Sequence, residues 1–373
     1  MEEIRDVSGG KSSALWSGED VKVSLKVQKY IWEASRLGLI SRETLQSAIK
    51  QFDLISSNSG SFFTYDIDGN LVYTLVHPSE LESGPELNNV SVGYIPAAFY
   101  SDKRKYWPEL RIRPVQELID PDQSWTLYKQ GTFCPIWVDL RSEPIKKTED
   151  NKPIEHVKEC CQNKPIEYFK DLLARWQDTR LYTDLKRNIG EKATNGRWAR
   201  KVVCFDLGSL EDDSCFLQHA VAATIRDTLS KRYGNGDIEL SSQYRGYCVN
   251  CKYILEQLFD FEVQDNHRAL LSVDEFTFAL IGELPEDAIS QAILSMTRKD
   301  NKGGPAALLR TAVHDDGSDA SRENGKDWSS PLVYEWTQRC YKDNRTFYLS
   351  DSKTPPELQS FGEAEMKFYW PKA

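Results

Sequence analysis

The chain has 373 residues, 40% hydrophobic and 28% charged, and its 57 acidic and 47 basic side chains give a net charge of −10, as in an ordinary folded protein. That balance, with a sequence pI of 5.2, excludes a generally basic nucleic-acid coat but not a local basic face. No stretch approaches the ~18 apolar residues of a membrane span, the opening MEEIRDVSGGKSS is too acidic for a signal or transit peptide, and eight cysteines are too sparse for a disulfide scaffold. A reduced, cytoplasmic protein without a membrane partner is therefore expected.

Residues 1–165 read as an α+β extension. Residues 23–40 and 41–55 place apolar side chains at three- and four-residue intervals, the spacing of two helices, the second starting at Ser41-x-x-Thr44 with Glu43 in its first turn. Residues 61–76 predict a β-hairpin about Asp68-Gly69-Asn70. Ten prolines between 78 and 165 forbid long helices there, leaving YWPEL, WTLY and CPIWVDL as short strands or packing anchors. Residues 166–189 return to a helical period that ends at Gly190, and 166–196 form a basic connecting helix.

From 197 to 373 the pattern alternates strand, turn and helix. Strands are expected at 200–207, 237–240, 261–263, 276–281, 306–313 and 366–370, with helices at 216–233 (amphipathic, closed by Gly234 and Gly236), 248–259, 285–296 and 331–341. Residues 314–330 form a polar loop that His314 enters. This alternation specifies an α/β fold, a Rossmann-like parallel sheet flanked on both faces by helices.

Ligands of such sheets bind where the strands end, near the point at which strand order reverses. The first such edge is 206–214 (DLGSLEDDS), where Gly208 permits a tight turn and Ser209 and Ser214 carry hydroxyls. Ser214 or Asp213 would cap the next helix, whereas Ser209 is free to face a pocket. The second and third glycines of a dinucleotide fingerprint are missing, Glu211, Asp212 and Asp213 would repel a pyrophosphate, and no Walker loop occurs; no cofactor is expected. Cys248-x-x-Cys251 lacks a second pair at zinc spacing, so no metal is expected either. His219, ten residues past Ser209, would have to turn back to form a relay with it, and reads as a packed or surface histidine. Tyr244 and Arg245 follow the second strand, and Tyr253 and Glu256 share a helix at i, i+3, where a tyrosine beside a carboxylate relays a proton or makes a routine surface contact. Nine acidic residues against one basic lie between 256 and 287, including Asp274, Glu275 and Glu283; they form a solvated face or a subsite for a cation such as guanidinium. Residues 170–201 carry nine basic and four acidic groups, a solvated face or a phosphate-facing surface.

Four segments resemble the sensitivity-to-red-light-reduced-like domain family: KVVCFDLGSL with SCFLQHAVAATIRDTL (Gly208, Ser209 and Gln218 in matching places), KYILEQLFDFEV, LLSVDEFTFALIGELPEDAISQAI, and FGEAEMKFYWP. They span about 200–371. The chain departs from the pattern at Tyr244-Arg245, where many relatives have Asp-Pro, and at Asp206, in place of the first of two glycines, which implies an altered pocket. More broadly the chain is similar to fungal arginine-containing cyclodipeptide synthases of secondary metabolism. That likeness implies a pocket that takes aminoacyl groups from arginyl-tRNA and one other charged tRNA, without DNA, and closes a diketopiperazine. Such chemistry needs a nucleophilic hydroxyl, an acid/base, an anionic subsite and a basic surface for tRNA. Ser209 would be the nucleophile, with Tyr253, Tyr244 and Glu256 as acid/base groups. Gly208, Ser214, Arg245, Asp274, Glu275 and Glu283 would bind substrate. Arg175, Arg180, Lys186, Arg187, Lys192, Arg197, Arg200 and Lys201 would hold tRNA. The competing expectation is a non-catalytic regulator of the same family that binds a ligand or partner in the same cleft.

Overall fold

The computed structural model describes residues 40–57, 61–65, 71–75, 91–94, 104–112, 136–144, 161, 164–192, 199–234, 237–244, 246–264, 267–282, 288–299, 302–311, 331–342, 346–347 and 366–371. The helix expected over 23–40 (apart from Ile40), the turn at 68–70, Arg197, Arg245, Glu283 and the loop 314–330 lie outside the described residues.

The main sheet has eight strands: β6 (Lys201–Phe205), β7 (Glu239–Gln243), β8 (Glu262–Val263), β9 (Thr277–Ile281), β12 (Ala307–Thr311), β13 (Tyr341–Lys342), β14 (Thr346–Phe347) and β15 (Met366–Pro371). Between β9 and β12, β10 (Arg298–Lys299) and β11 (Lys302–Gly303) pair with each other antiparallel, apart from that sheet. Their order is β13-β15-β12-β9-β6-β7-β8, with β14 also against β15. Strands β8, β7, β6, β9 and β12 run parallel, whereas β15 is antiparallel to β12, β13 and β14. The fold is thus α/β. The chain builds outward from β6 through β7 to β8, then returns to lay β9 on the other side of β6, so strand order reverses between β6 and β9.

Period-two alternation divides the core into two layers. Val202 and Cys204 point into one buried cluster, Val203 and Phe205 into the other. The first layer is covered by α4 (Asp213–Tyr233) and α5 (Val249–Phe259), with α2 (Ile166–Gln177) and α3 (Arg180–Lys192) also in this cluster. The sequence suggests an amphipathic α4, but Phe216–Ile225 are buried without interruption. The reason is a covering on both sides, since Trp176 of α2 donates from Nε1 to Thr224 Oγ1 at 3.2 Å and Phe169 packs its ring 5.0 Å from that of Phe216. One helix was expected across 166–189; two form, because the Thr179 hydroxyl accepts from the Tyr182 amide at 3.1 Å and starts a new helix, which then runs through Gly190.

The second layer holds α6 (Arg268–Ser272), α7 (Ala288–Thr297) and α8 (Pro331–Cys340), together with parts of the extension. These are α1 (Arg42–Ser57) and residues of β1 (Ser61–Tyr65), β4 (Arg104–Ile112) and β5 (Ile136–Pro144). Ser41 caps α1 as its sequence predicts, accepting from the Thr44 amide at 3.1 Å. The hairpin forms from β1 and β2 (Leu71–Leu75), and β3 (Ser91–Tyr94) adds a parallel strand that the pattern does not reveal. Among the described residues no helix is long and apolar enough to cross a membrane.

Candidate functional site

The loop after β6 follows from two backbone requirements. Asp206 adopts a left-handed conformation (φ 54°) while its amide donates to the Gln243 carbonyl at 3.0 Å, and Gly208 follows at φ 80°. A side chain at Gly208 would be strained by that φ and would collide with Cys215 Sγ, so this turn demands glycine twice over. The chain then enters α4, where Asp212 takes the cap by accepting from the Ser214 amide at 2.8 Å. Ser214 itself is buried, and Asp213, another predicted cap, instead meets Lys164 at 2.9 Å and the Tyr168 hydroxyl. Ser209 is half-buried, between Gly208 and the buried Leu210.

Across the reversal point, the Gly282 amide donates to the Phe205 carbonyl at 2.8 Å. A Cβ on Gly282 would overlap the Asp206 carbonyl and lie 3.0 Å from Gln218 Oε1. The loops after β6 and β9 therefore touch, and Gln218 stands over their contact. Among the described residues, Gln218 Oε1 and Thr311 Oγ1 are the buried side-chain N or O atoms without a hydrogen-bond partner. Thr311 ends β12 on the same sheet face as Leu309, the face α4 covers, and the β9–β12 register extends to set it level with Gly282. Two unsatisfied oxygens on one face of one edge are uncommon, because each forfeits about 1–3 kcal/mol of solvation. The sequence-predicted site residues omit Thr311, and they omit Gln218 although it sits in the quoted motif.

The other expected residues divide by position. Tyr244, half-buried, lies just past β7 at the same edge as Ser209, its ring edge-on to Tyr247 at 5.3 Å. Tyr253 is 52% exposed and Glu256 is exposed, both on the solvent side of α5, opposite the buried Cys251, Ile254 and Leu255. Asp274 and Glu275 precede β9 and so lie at the opposite edge from Ser209. There Lys201, at the start of β6, donates to Asp274 at 2.9 Å. Burial opposes ionisation of Asp274, but hydrogen bonds from Lys201, Thr277 and the Phe276 amide outweigh it and hold the carboxyl below its ordinary range. Arg200 shares this edge, its guanidinium 4.6 Å from the Phe276 ring centre. Arg175, Arg180, Lys186, Arg187 and Lys192 belong to α2 and α3 instead. Arg180 and Arg187 both meet Asp184, at 3.3 and 2.6 Å, and Lys186 lies 4.7 Å over the Tyr182 ring. The basic residues are thus split between a helical face and a sheet edge.

His219 does not face Ser209; it is fully buried in a hydroxyl chain. Its Nδ1 contacts the Cys215 carbonyl at 2.6 Å and its Nε2 the Tyr247 hydroxyl at 2.5 Å, and that hydroxyl contacts Ser242 at 2.7 Å. A carbonyl only accepts, so the proton sits on Nδ1, Tyr247 donates to Nε2, and Ser242 donates to Tyr247. Burial lowers the His219 pKa to about 4, against a smaller upward pull from the Cys215 carbonyl, and pushes Tyr247 well above its ordinary value. This is a neutral, internally satisfied network.

Sequence spacing treats Cys248-x-x-Cys251 as an isolated pair, yet a third thiol joins it. The sulfurs of Cys161, Cys248 and Cys251 lie 3.4, 3.5 and 3.6 Å apart, all buried. No local pattern announces Cys161, which stands 87 residues from Cys248.

No family model matches the chain, and neither the curated proteins nor the solved structures provide a match.

Proposed function

We propose that the protein is a tRNA-dependent, arginine-containing cyclodipeptide synthase built on a Rossmann-like sheet, acting in the cytoplasm and working at the sheet edge where strand order reverses between β6 and β9. The observation that carries the reading is the half-buried Ser209 at the strand-order reversal, on the same edge as the unpaired oxygens of Gln218 and Thr311. Substrate amide or ammonium groups would satisfy those oxygens, and the family resemblance supplies the substrate class. In this reaction Ser209 Oγ attacks the ester carbonyl of the first aminoacyl-tRNA, its proton leaving with the terminal tRNA hydroxyl. The amine of the second aminoacyl group then displaces Ser209, and the remaining free amine attacks the second ester to close the ring and release the second tRNA. Tyr244, at the same edge, would transfer protons to and from those amines, whereas Tyr253 and Glu256 lie on the outer side of α5. Asp274 and Glu275 lie at the opposite edge of the sheet, away from Ser209 and so from an arginine subsite beside it. The exposed cations of α2 and α3 would meet tRNA phosphates.

Expression in a bacterial host tests this by mass spectrometry of extracts. Arginine-containing cyclic dipeptides are expected from the parent chain. They should disappear in Ser209→Ala, and fall at least tenfold in Gln218→Leu. Soluble, folded parent protein that yields none, and releases no amino acid from charged tRNA, would reject the proposal.

A second reading, a non-catalytic regulator, is favoured by Val249 and Tyr253, 70% and 52% exposed and one turn apart on α5. It expects Ser209→Ala to be silent and Tyr253→Asp to abolish partner binding.

A further inference from the structure

We infer that Cys161, Cys248 and Cys251 hold a structural zinc ion as thiolates. A tetrahedral zinc with Zn–S bonds of about 2.3 Å separates its sulfurs by about 3.8 Å, and the three observed separations of 3.4, 3.5 and 3.6 Å fall within a few tenths of that. Convergence alone would suit three packed thiols, but the polar surroundings are those of anionic sulfur. The Cys251 amide donates to Cys248 Sγ at 3.3 Å, and Asn250 Nδ2 donates to Cys161 Sγ at 3.3 Å. Cys248 is also the N-cap of α5, so its sulfur stands at the positive end of the helix dipole. The donors and the dipole favour thiolate, and binding releases the thiol protons to solvent while the cation takes up the negative charge. The fourth ligand of the tetrahedron comes from outside the trio.

The ion's role is structural, since all three cysteines are buried in the core. It fastens the segment entering α2 to the start of α5, and Cys248 directly follows Tyr247. The ion therefore anchors the loop that carries Tyr244 and Tyr247 as well as the basic helices. Nothing in this depends on the reaction proposed above.

Elemental analysis of the full chain, purified without chelator under reducing conditions, should give about one zinc per chain. Replacement by Co²⁺ should produce thiolate-to-cobalt charge-transfer absorption in the near ultraviolet, with the intensity expected of three Co–S bonds. Cys161→Ser should lower that absorption by about one third and weaken zinc retention against a chelator at least tenfold. Should that variant not fold, thiol labelling of the parent chain replaces it: chelator should expose three additional reactive thiols. Reduced protein that carries no zinc and develops no charge-transfer band with Co²⁺ would overturn the inference, as would an intact mass showing two of these cysteines joined in a disulfide.

Discussion

Single side chains around the end of β6 serve opposite ends. Gln218 and Thr311 keep oxygens unsatisfied at the edge of the sheet, whereas His219 spends every polar atom internally. The buried imidazole gives stability a pH dependence with a definite sign. With a folded pKa of about 4 against an ordinary 6.5, the unfolded chain binds the extra proton between those values, so stability falls as pH drops from 6.5 to 4 and the loss stops below that. The full effect is on the order of 3 kcal/mol. Urea unfolding of His219→Gln should show a less stable protein at pH 7 whose stability changes less than the parent's between pH 6.5 and 4. Equal pH slopes would rule out His219 as the titrating group.

Helices and strands were the features most legible in the sequence, and their misreadings have physical causes. Strong local signals survived intact: the Ser41 cap, the hairpin, and the α4 stop at Gly234 with φ 77°. Residues 166–189 misled because Thr179 can cap as well as continue a helix, and a periodic pattern cannot decide which. The expected amphipathic α4 misled because a helix enclosed between a sheet and other helices needs no polar face. For the site, the Gly208–Ser209 turn was readable, since glycine and a cap-rich run mark a strand-to-helix turn. Cys161 and Thr311 were not, because only the folded topology brings them to their neighbours. One cap carries a prediction at this scale. Asp212→Ala removes the acceptor for the Ser214 amide and should lower stability by about 1 kcal/mol, seen as a lower urea midpoint with an unchanged slope.

Taken whole, the molecule does not divide at residue 165 in its packing. Arg42 of α1 donates to the carbonyls of Leu271 and Val273, Arg268 meets Asp53 at 2.7 Å, and His267 contacts the Leu110 carbonyl at 3.0 Å. Ile40, Leu45, Ile49 and Phe52 share a core with Val203, Phe205, Ala279 and Ile281. A chain of residues 166–373 alone should therefore expose that sheet face and be recovered as aggregate, or as a species that binds a hydrophobic dye, whereas the full chain should not. A monomeric fragment with a cooperative thermal transition would show the opposite. The tie between Arg42 and Leu271 spans 229 positions, and that span sets a timetable for biosynthesis. At roughly 5–20 residues per second of translation, α1 emerges from the ribosome some 10–45 s before the strands it must cover. Throughout that wait its apolar stripe has no native surface to cover it, because the sheet it packs on is made later.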